Sequence, residues 1–411
     1  MSGLDLIIRK AAFVQDGALR RADLGIAQGR IAVIAQQLDA PAPELDAQSC
    51  LVVPGLVETH IHLDKSCILD RCDIAEGSVL EAVRETTRLK RHFTCEDVQT
   101  RGRRTLEKCL CHGTMRMRTH VEVDPGIGLI GFEGVQALVR DFAWAMDIEI
   151  CVFPQEGLIS NPGTEELLIE ALRRGARVIG AAPYCDTDPR GQIDRIFEIA
   201  RDFDVDIDMH LDMGDTTEGM QALYVARKTE EFGYGGRVAI GHVTQASLLP
   251  AEEFEQLAAT LGQAGVAVTI LPSTDLHLMG RPHSHAIPRG VVPAQRLHAH
   301  GVMCSVATNN VLNPFTPYGD GSLIRMANLY ANVCRVARPD ELARCLEMIT
   351  TDAARLMRLE DYGIREGAPA DLLAIDAATP GAAISELAQP LWGLKSGHPS
   401  FTRPRPTFHP P

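Results

Sequence analysis

Between residues 56 and 308 the chain states one theme eight times: a short apolar, β-rich run followed by a polar turn and, in most cases, a longer stretch with helical periodicity. The runs lie at 56–62, 114–121, 148–153, 177–181, 205–210, 237–242, 266–271 and 302–308. The stretches 165–174, 193–203, 220–232 and 254–264 carry apolar residues at the spacing of an amphipathic helix. Strands alternating with helices predict parallel β-α-β units, and eight of them is the number that closes a (β/α)8 TIM barrel. An open doubly wound sheet is the alternative, but the glycine-rich phosphate loop expected after an early strand of such a sheet is not found.

The chain ends read differently. Short apolar runs at 6–8, 23–27 and 29–34 are separated by turn signals, and 367–376 has the same character, which predicts antiparallel strands. Neither piece is large enough to fold alone, so the two are expected to join in a small composite β-sandwich. The expected division is 1–54 with 360–411 for this unit and 55–359 for the α/β barrel.

With 411 residues, 45% hydrophobic and 23% charged, the chain is globular and long enough for both units. A net charge of −14 argues against nucleic acid or an anionic membrane as partner and favours a small-molecule ligand. The 11 cysteines show no CxxC spacing and read as reduced thiols. The first residues lack a long apolar segment, so the cytoplasm is the default compartment. A homo-oligomer is expected on the general frequency of oligomers among soluble enzymes.

Side chains two apart in a strand share a face, so His60 and His62, at the end of the first run, can grip one divalent ion. The same spacing recurs at His298/His300, within a predicted helix where i and i+2 diverge, and at His283/His285, in a Pro-, Arg- and Gly-rich loop. Neither of those pairs is expected to chelate. In a barrel the chemistry gathers at the C-terminal ends of the strands. Four predicted strands close there on polar residues: His60 and His62 on the first, His210 on the fifth, His242 on the sixth, and Thr308, Asn309 and Asn310 after the eighth.

These residues lie in longer matches. The segments PGLVETHIHLDK (54–65), RTHVEVD (118–124), FPQEG (153–157), HLMGR (277–281) and NVLNPF (310–315) make the chain resemble the amidohydrolase superfamily, in particular its cytosine deaminase branch. Lys65 and the run DVDIDMH (204–210) resemble the related N-isopropylammelide isopropylaminohydrolases. The resemblance implies one divalent metal ion, iron or zinc, held by His60, His62 and His210 with an aspartate after the eighth strand. Such an ion lowers the pKa of a bound water from 15.7 toward about 7 and so supplies hydroxide at neutral pH. In the family this hydroxide attacks an amidine-like ring carbon and expels ammonia or an amine from a nitrogen heterocycle. His242 would polarise the substrate or steady the attacking oxygen. Gln155 would read the edge of the heterocycle with its paired donor and acceptor. Phe315 would cover the ring face, and Asn310 joins these two as an expected substrate-binding residue.

The chain departs from the family pattern at two positions. Asn309 stands where the metal-binding aspartate is expected, and Met213 where cytosine deaminases carry a glutamate three residues after the fifth-strand histidine. An amide can still ligate but brings no charge and accepts no proton, and a thioether moves no proton. Lys65 is the leading replacement as proton carrier, with Asp212 and Asp64 as further candidates, although carboxylates so placed more often orient metal-bound imidazoles, and His120 is expected to line the mouth. Two other readings stand beside the deaminase: a weakly metallated relative that binds a heterocycle through Gln155 and Phe315, and a hydrolase of a ring amide or lactone.

Overall fold

The computed structural model describes residues 3–409. Eight parallel strands stand side by side in chain order: Leu56–Ile61, Thr114–Glu122, Asp147–Phe153, Val178–Ile179, Asp206–Leu211, Val238–His242, Val266–Ile270 and Cys304–Val306. Each of the eight runs read from the sequence supplies one of them. Their residues are almost wholly buried, as in a sheet wrapped by helices.

The helices are built as their patterns require. Pro189–Phe203 is capped by Asp188, which accepts from the N–H of Gly191, and it buries Ile193, Ile196, Phe197 and Ala200 at three- and four-residue spacing. It ends at Asp204, whose φ of 53° breaks the helical path. These apolar stripes and the outward-facing strand residues merge in one continuous core.

Two predicted strands are shorter than expected by more than one residue. The fourth stops at Ile179, and the residue after it is glycine because a Cβ there would lie 2.6 Å from the Asp208 carbonyl. The eighth stops at Val306, where pairing gives way to single bonds that seal the ring. The N–H of Asn309 donates to the His60 carbonyl at 2.8 Å, and the N–H of His62 donates to the Asn309 carbonyl at 2.9 Å. The buried Glu58 carboxylate reinforces the seam by accepting from the N–H of Thr308 with both oxygens at 3.1 Å.

Both chain ends contribute to a separate eight-stranded sheet. Its strands Leu51–Pro54 and Leu372–Ile375 pair antiparallel and thereby tie the two ends together. Ile8, Phe13, Leu24, Ile31, Val52, Leu372 and Leu394 give that sheet its own core. All 11 cysteines are free thiols. Among the described residues no helix is long and apolar enough to cross a membrane.

Candidate metal centre and substrate wall

The period of two along the first strand puts His60 and His62 on the inside of the ring, and His210, near the end of the fifth strand, meets them there. Nε2 of His210 lies 3.1 Å from Nε2 of His60 and 3.0 Å from Nε2 of His62. All three rings are buried. Burial, reinforced by the neighbouring cationic forms, depresses all three imidazoles: His60 falls to about 3, with Asp208 opposing the shift, and His62 and His210 lie well below the ordinary value. They are therefore neutral at physiological pH, the protonation state in which imidazole ligates.

The arrangement fits a cation. Neutral imidazoles carry one N–H each, so three Nε2 atoms converging on one point cannot satisfy one another, and all three Nδ1 atoms are buried without a hydrogen-bond partner among the described residues. Nitrogens around a tetrahedral ion bound at 2.0–2.1 Å stand roughly 3.3 Å apart, close to the spacing found here. His120, expected to line the mouth, packs against the cluster. It is fully buried, stacked on His60 with ring centroids 3.7 Å apart, and its Nε2 is 3.5 Å from Asp208. Asp208 accepts from Nη1 of Arg118 at 2.8 Å and stands 3.8 Å from Nδ1 of His60, so it backs the cluster from below.

His242 and Asn309 complete the rim. Both sit at strand ends with left-handed backbones, φ 71° and 62°, and Val243 follows at φ 52°. Positive φ is uncommon for such residues and is tolerated here because surrounding bonds fix it. His242 bonds Asp275 through Nδ1 at 2.6 Å, and its Nε2 is 3.4 Å from Nδ2 of Asn309.

A second set of groups forms a wall beside the cluster. Nζ of Lys65 lies 2.5 Å from Oε1 of Glu122, 3.4 Å from Oε1 of Gln155 and 4.5 Å from the centre of the Phe315 ring. Lys90, at the end of the helix Val79–Lys90, bonds Glu122 at 3.1 Å, Asp124 at 2.6 Å and also Glu156. Desolvation alone would raise the Glu122 carboxyl, but the two ammonium groups outweigh it and hold it well below the usual carboxylate range. Gln155, Phe315 and Asn310 are all buried near this wall or the seam. Gln155 donates to Sγ of Cys185 at 3.5 Å, and Oδ1 of Asn310 accepts from Nδ2 of Asn313 at 2.6 Å.

Met213 packs with Phe315, Ala82 and Leu278 in a small apolar patch, so the position of the glutamate in the family pattern is here an apolar flank of Phe315. The expected carboxylate partners of the imidazoles turn elsewhere. Asp212 accepts from the N–H groups of Gln221 and Ala222 at 2.7 and 2.9 Å and so caps the helix Ala222–Phe232, while Asp64 accepts from the N–H of Glu122 and of Lys65. The other spaced pairs lie apart from the cluster: His283 and His285 are exposed, the helix carrying His298 ends there, and His300 bonds Glu255. Nothing in the sequence marks the parts that Glu122, Lys90, Asp124, Glu156, Asp208 and Asp275 play here.

The pattern of the amidohydrolase family matches residues 148–389. Over 96% of both chains the protein is 27% identical to N-isopropylammelide isopropyl amidohydrolase of Pseudomonas sp. strain ADP. It is 29% identical to the pterin deaminase of Rhizobium rhizogenes strain K84 over 87% of this chain and 83% of that one. The crystal structure of 5-methylcytosine deaminase from Klebsiella pneumoniae, liganded with 5-fluorocytosine, superposes with a TM-score of 0.92 at 28% identity, covering 98% of this chain and 99% of that one. A family pattern spanning more than half of the sequence, on a barrel with three converging imidazoles at its mouth, means that this chain belongs to the amidohydrolase family and is a hydrolase of carbon–nitrogen bonds.

Proposed function

We propose that the protein removes an amino or alkylamino group from a nitrogen heterocycle, with one iron or zinc ion held by His60, His62 and His210. The observation that carries this reading is the convergence of three neutral, otherwise unsatisfiable Nε2 atoms beside a wall that combines Gln155, Lys65 and Phe315. Imidazole suits both metals. A divalent ion so held supplies an acidified water at neutral pH.

The chain's own groups then divide the remaining work. Gln155 offers a carboxamide to a ring amide or amidine edge, and Phe315 offers its face to the ring. Asp275 engages Nδ1 of His242 and leaves Nε2, which also stands 3.4 Å from Nδ2 of Asn309, as the ring nitrogen that can accept a proton or a hydrogen bond. Lys65 brings N–H donors from the Glu122 side. Together these two groups replace the acids missing at Asn309 and Met213. The heterocyclic substrates named for the pterin and 5-methylcytosine deaminases support the substrate class.

The test is to purify the protein with zinc or iron supplied, count metal per chain, and follow ammonia and alkylamine release from cytosines, pterins and aminotriazines. One metal per chain and turnover of one class, abolished by chelation, is expected. A chain that takes up no metal ends the metal reading; a loaded chain inert on all three classes ends the substrate reading. Lys65→Ala should keep its metal and lose about 10²- to 10⁴-fold in turnover, the usual worth of a proton-handling group. Full activity in that variant would remove Lys65 from the chemistry.

A further inference from the structure

A carboxylate at position 309 would present oxygen whichever way it turned, whereas the amide of Asn309 presents oxygen on one side and NH2 on the other. Its Nδ2 is the atom near Nε2 of His242, at 3.4 Å, and its Oδ1 is buried without a hydrogen-bond partner among the described residues. The ring of His242 is itself fixed by Asp275, fully buried on the helix Pro272–Leu278, whose Oδ1 lies 2.6 Å from Nδ1. Oδ2 of Asp275 accepts from the N–H of Leu271, so this carboxylate is tethered at both oxygens.

Direction passes along this chain of bonds in one sense. With Oδ1 of Asp275 accepting from Nδ1–H of His242 across 2.6 Å, Nε2 of that ring is left as an acceptor. The group of Asn309 able to donate to it is Nδ2, which leaves Oδ1 for the other side of the amide. The backbone of Asn309 is bonded to His60 and His62, two of the three residues whose nitrogens converge.

We propose that Asp275 is a positioning residue that, through the tautomer of His242, keeps Oδ1 of Asn309 rather than Nδ2 turned to the histidine cluster as an oxygen donor for the metal. This rests on the metal-hydrolase reading above and accounts for a neutral side chain at a position where an acid is expected.

The test uses Co(II), whose visible absorption reports the ligand set and whose affinity is read by competition with a chelator. In Asp275→Asn the new amide can donate to Nδ1, moving the imidazole proton to Nε2 and turning Asn309 round. Co(II) binding should then weaken about 10- to 100-fold, with an altered spectrum, as for other groups that orient metal ligands. In an Asn309→Asp background the same change should shift affinity less than about threefold, because a carboxylate has no wrong way round. Equal losses in both backgrounds, or no loss in Asp275→Asn, would overturn the proposal while leaving the hydrolase reading intact. A native chain that takes up no Co(II) overturns both. Should Asp275→Asn not fold, His242→Leu removes the acceptor instead, and the same rescue by Asn309→Asp is expected; its absence is equally fatal.

Discussion

The histidine cluster and the lysine–carboxylate wall are neighbours in one barrel mouth, yet they are finished to different degrees. In the wall, Lys65, Lys90, Glu122 and Asp124 are buried and each has found an opposite charge. In the cluster, the imidazoles are buried and neutral, with Nδ1 of all three rings and Oδ1 of Asn309 lacking partners among the described residues. Buried polar atoms are rarely left unpaired, so the cluster is the part of the mouth whose donor set fits a cation. The wall is complete without a ligand and can hold a shape. The unsatisfied region has the chemistry of a binding site, and the satisfied one that of a fixed support.

Three variants put this contrast at risk. His210→Ala, which takes the shared nitrogen out of the cluster, should lose metal and lower turnover by about 10³- to 10⁴-fold, the worth of several kcal/mol of charge stabilisation, while leaving the fold in place by circular dichroism. Retained metal would show that the cluster is not the binding half. Glu122→Gln strikes the finished half and should act on stability instead, costing about 3–5 kcal/mol in denaturant titrations because two buried ammonium groups lose a shared partner. The pH dependence follows from the depressed Glu122 carboxyl. Its contribution is complete above the ordinary glutamate value of about 4.3 and is lost as pH falls through that value toward the lower native one, so the native protein should be destabilised by acid in this window and the variant less so. A variant as acid-sensitive as the native protein would deny the wall its role. The smallest effect is expected of Phe315→Leu, which removes the ring over Lys65 at about 1 kcal/mol and should raise KM roughly fivefold with kcat nearly unchanged. A fall in kcat instead would place Phe315 closer to the reacting bond.

The two halves were also unequally legible. Strands such as 237–242 and 266–271 announced themselves because a barrel strand is buried on both faces and writes its apolar run continuously. His60, His62, His210 and His242 stood out because a histidine ending such a run has few ordinary uses. Of the wall, Lys65, Gln155 and Phe315 stand out in the sequence, but the ionic partners of Lys65 do not. Glu122, Lys90 and Glu156 come from a strand, a helix and a loop far apart in sequence, and a lone charge near the end of an element looks like any solvated residue until the fold brings its partner. Asp275 was hidden for the same reason, 33 residues from the ring it holds. Asp212 misled in the opposite direction: its nearness to His210 suggested a metal partner, whereas the local demand of a helix N-terminus claimed both its oxygens.

The seam between the last and first strands adds a consequence for assembly. The backbone bonds that shut the cylinder run through His60, His62 and Asn309, the same residues that frame the cluster. Shutting the cylinder and forming the cage are thus one event, and by linkage an ion captured there acts as a rivet on the joint. Stripped of it, the joint should be the first place to breathe, with faster amide exchange at His62 and Asn309 than at any paired strand around the circumference.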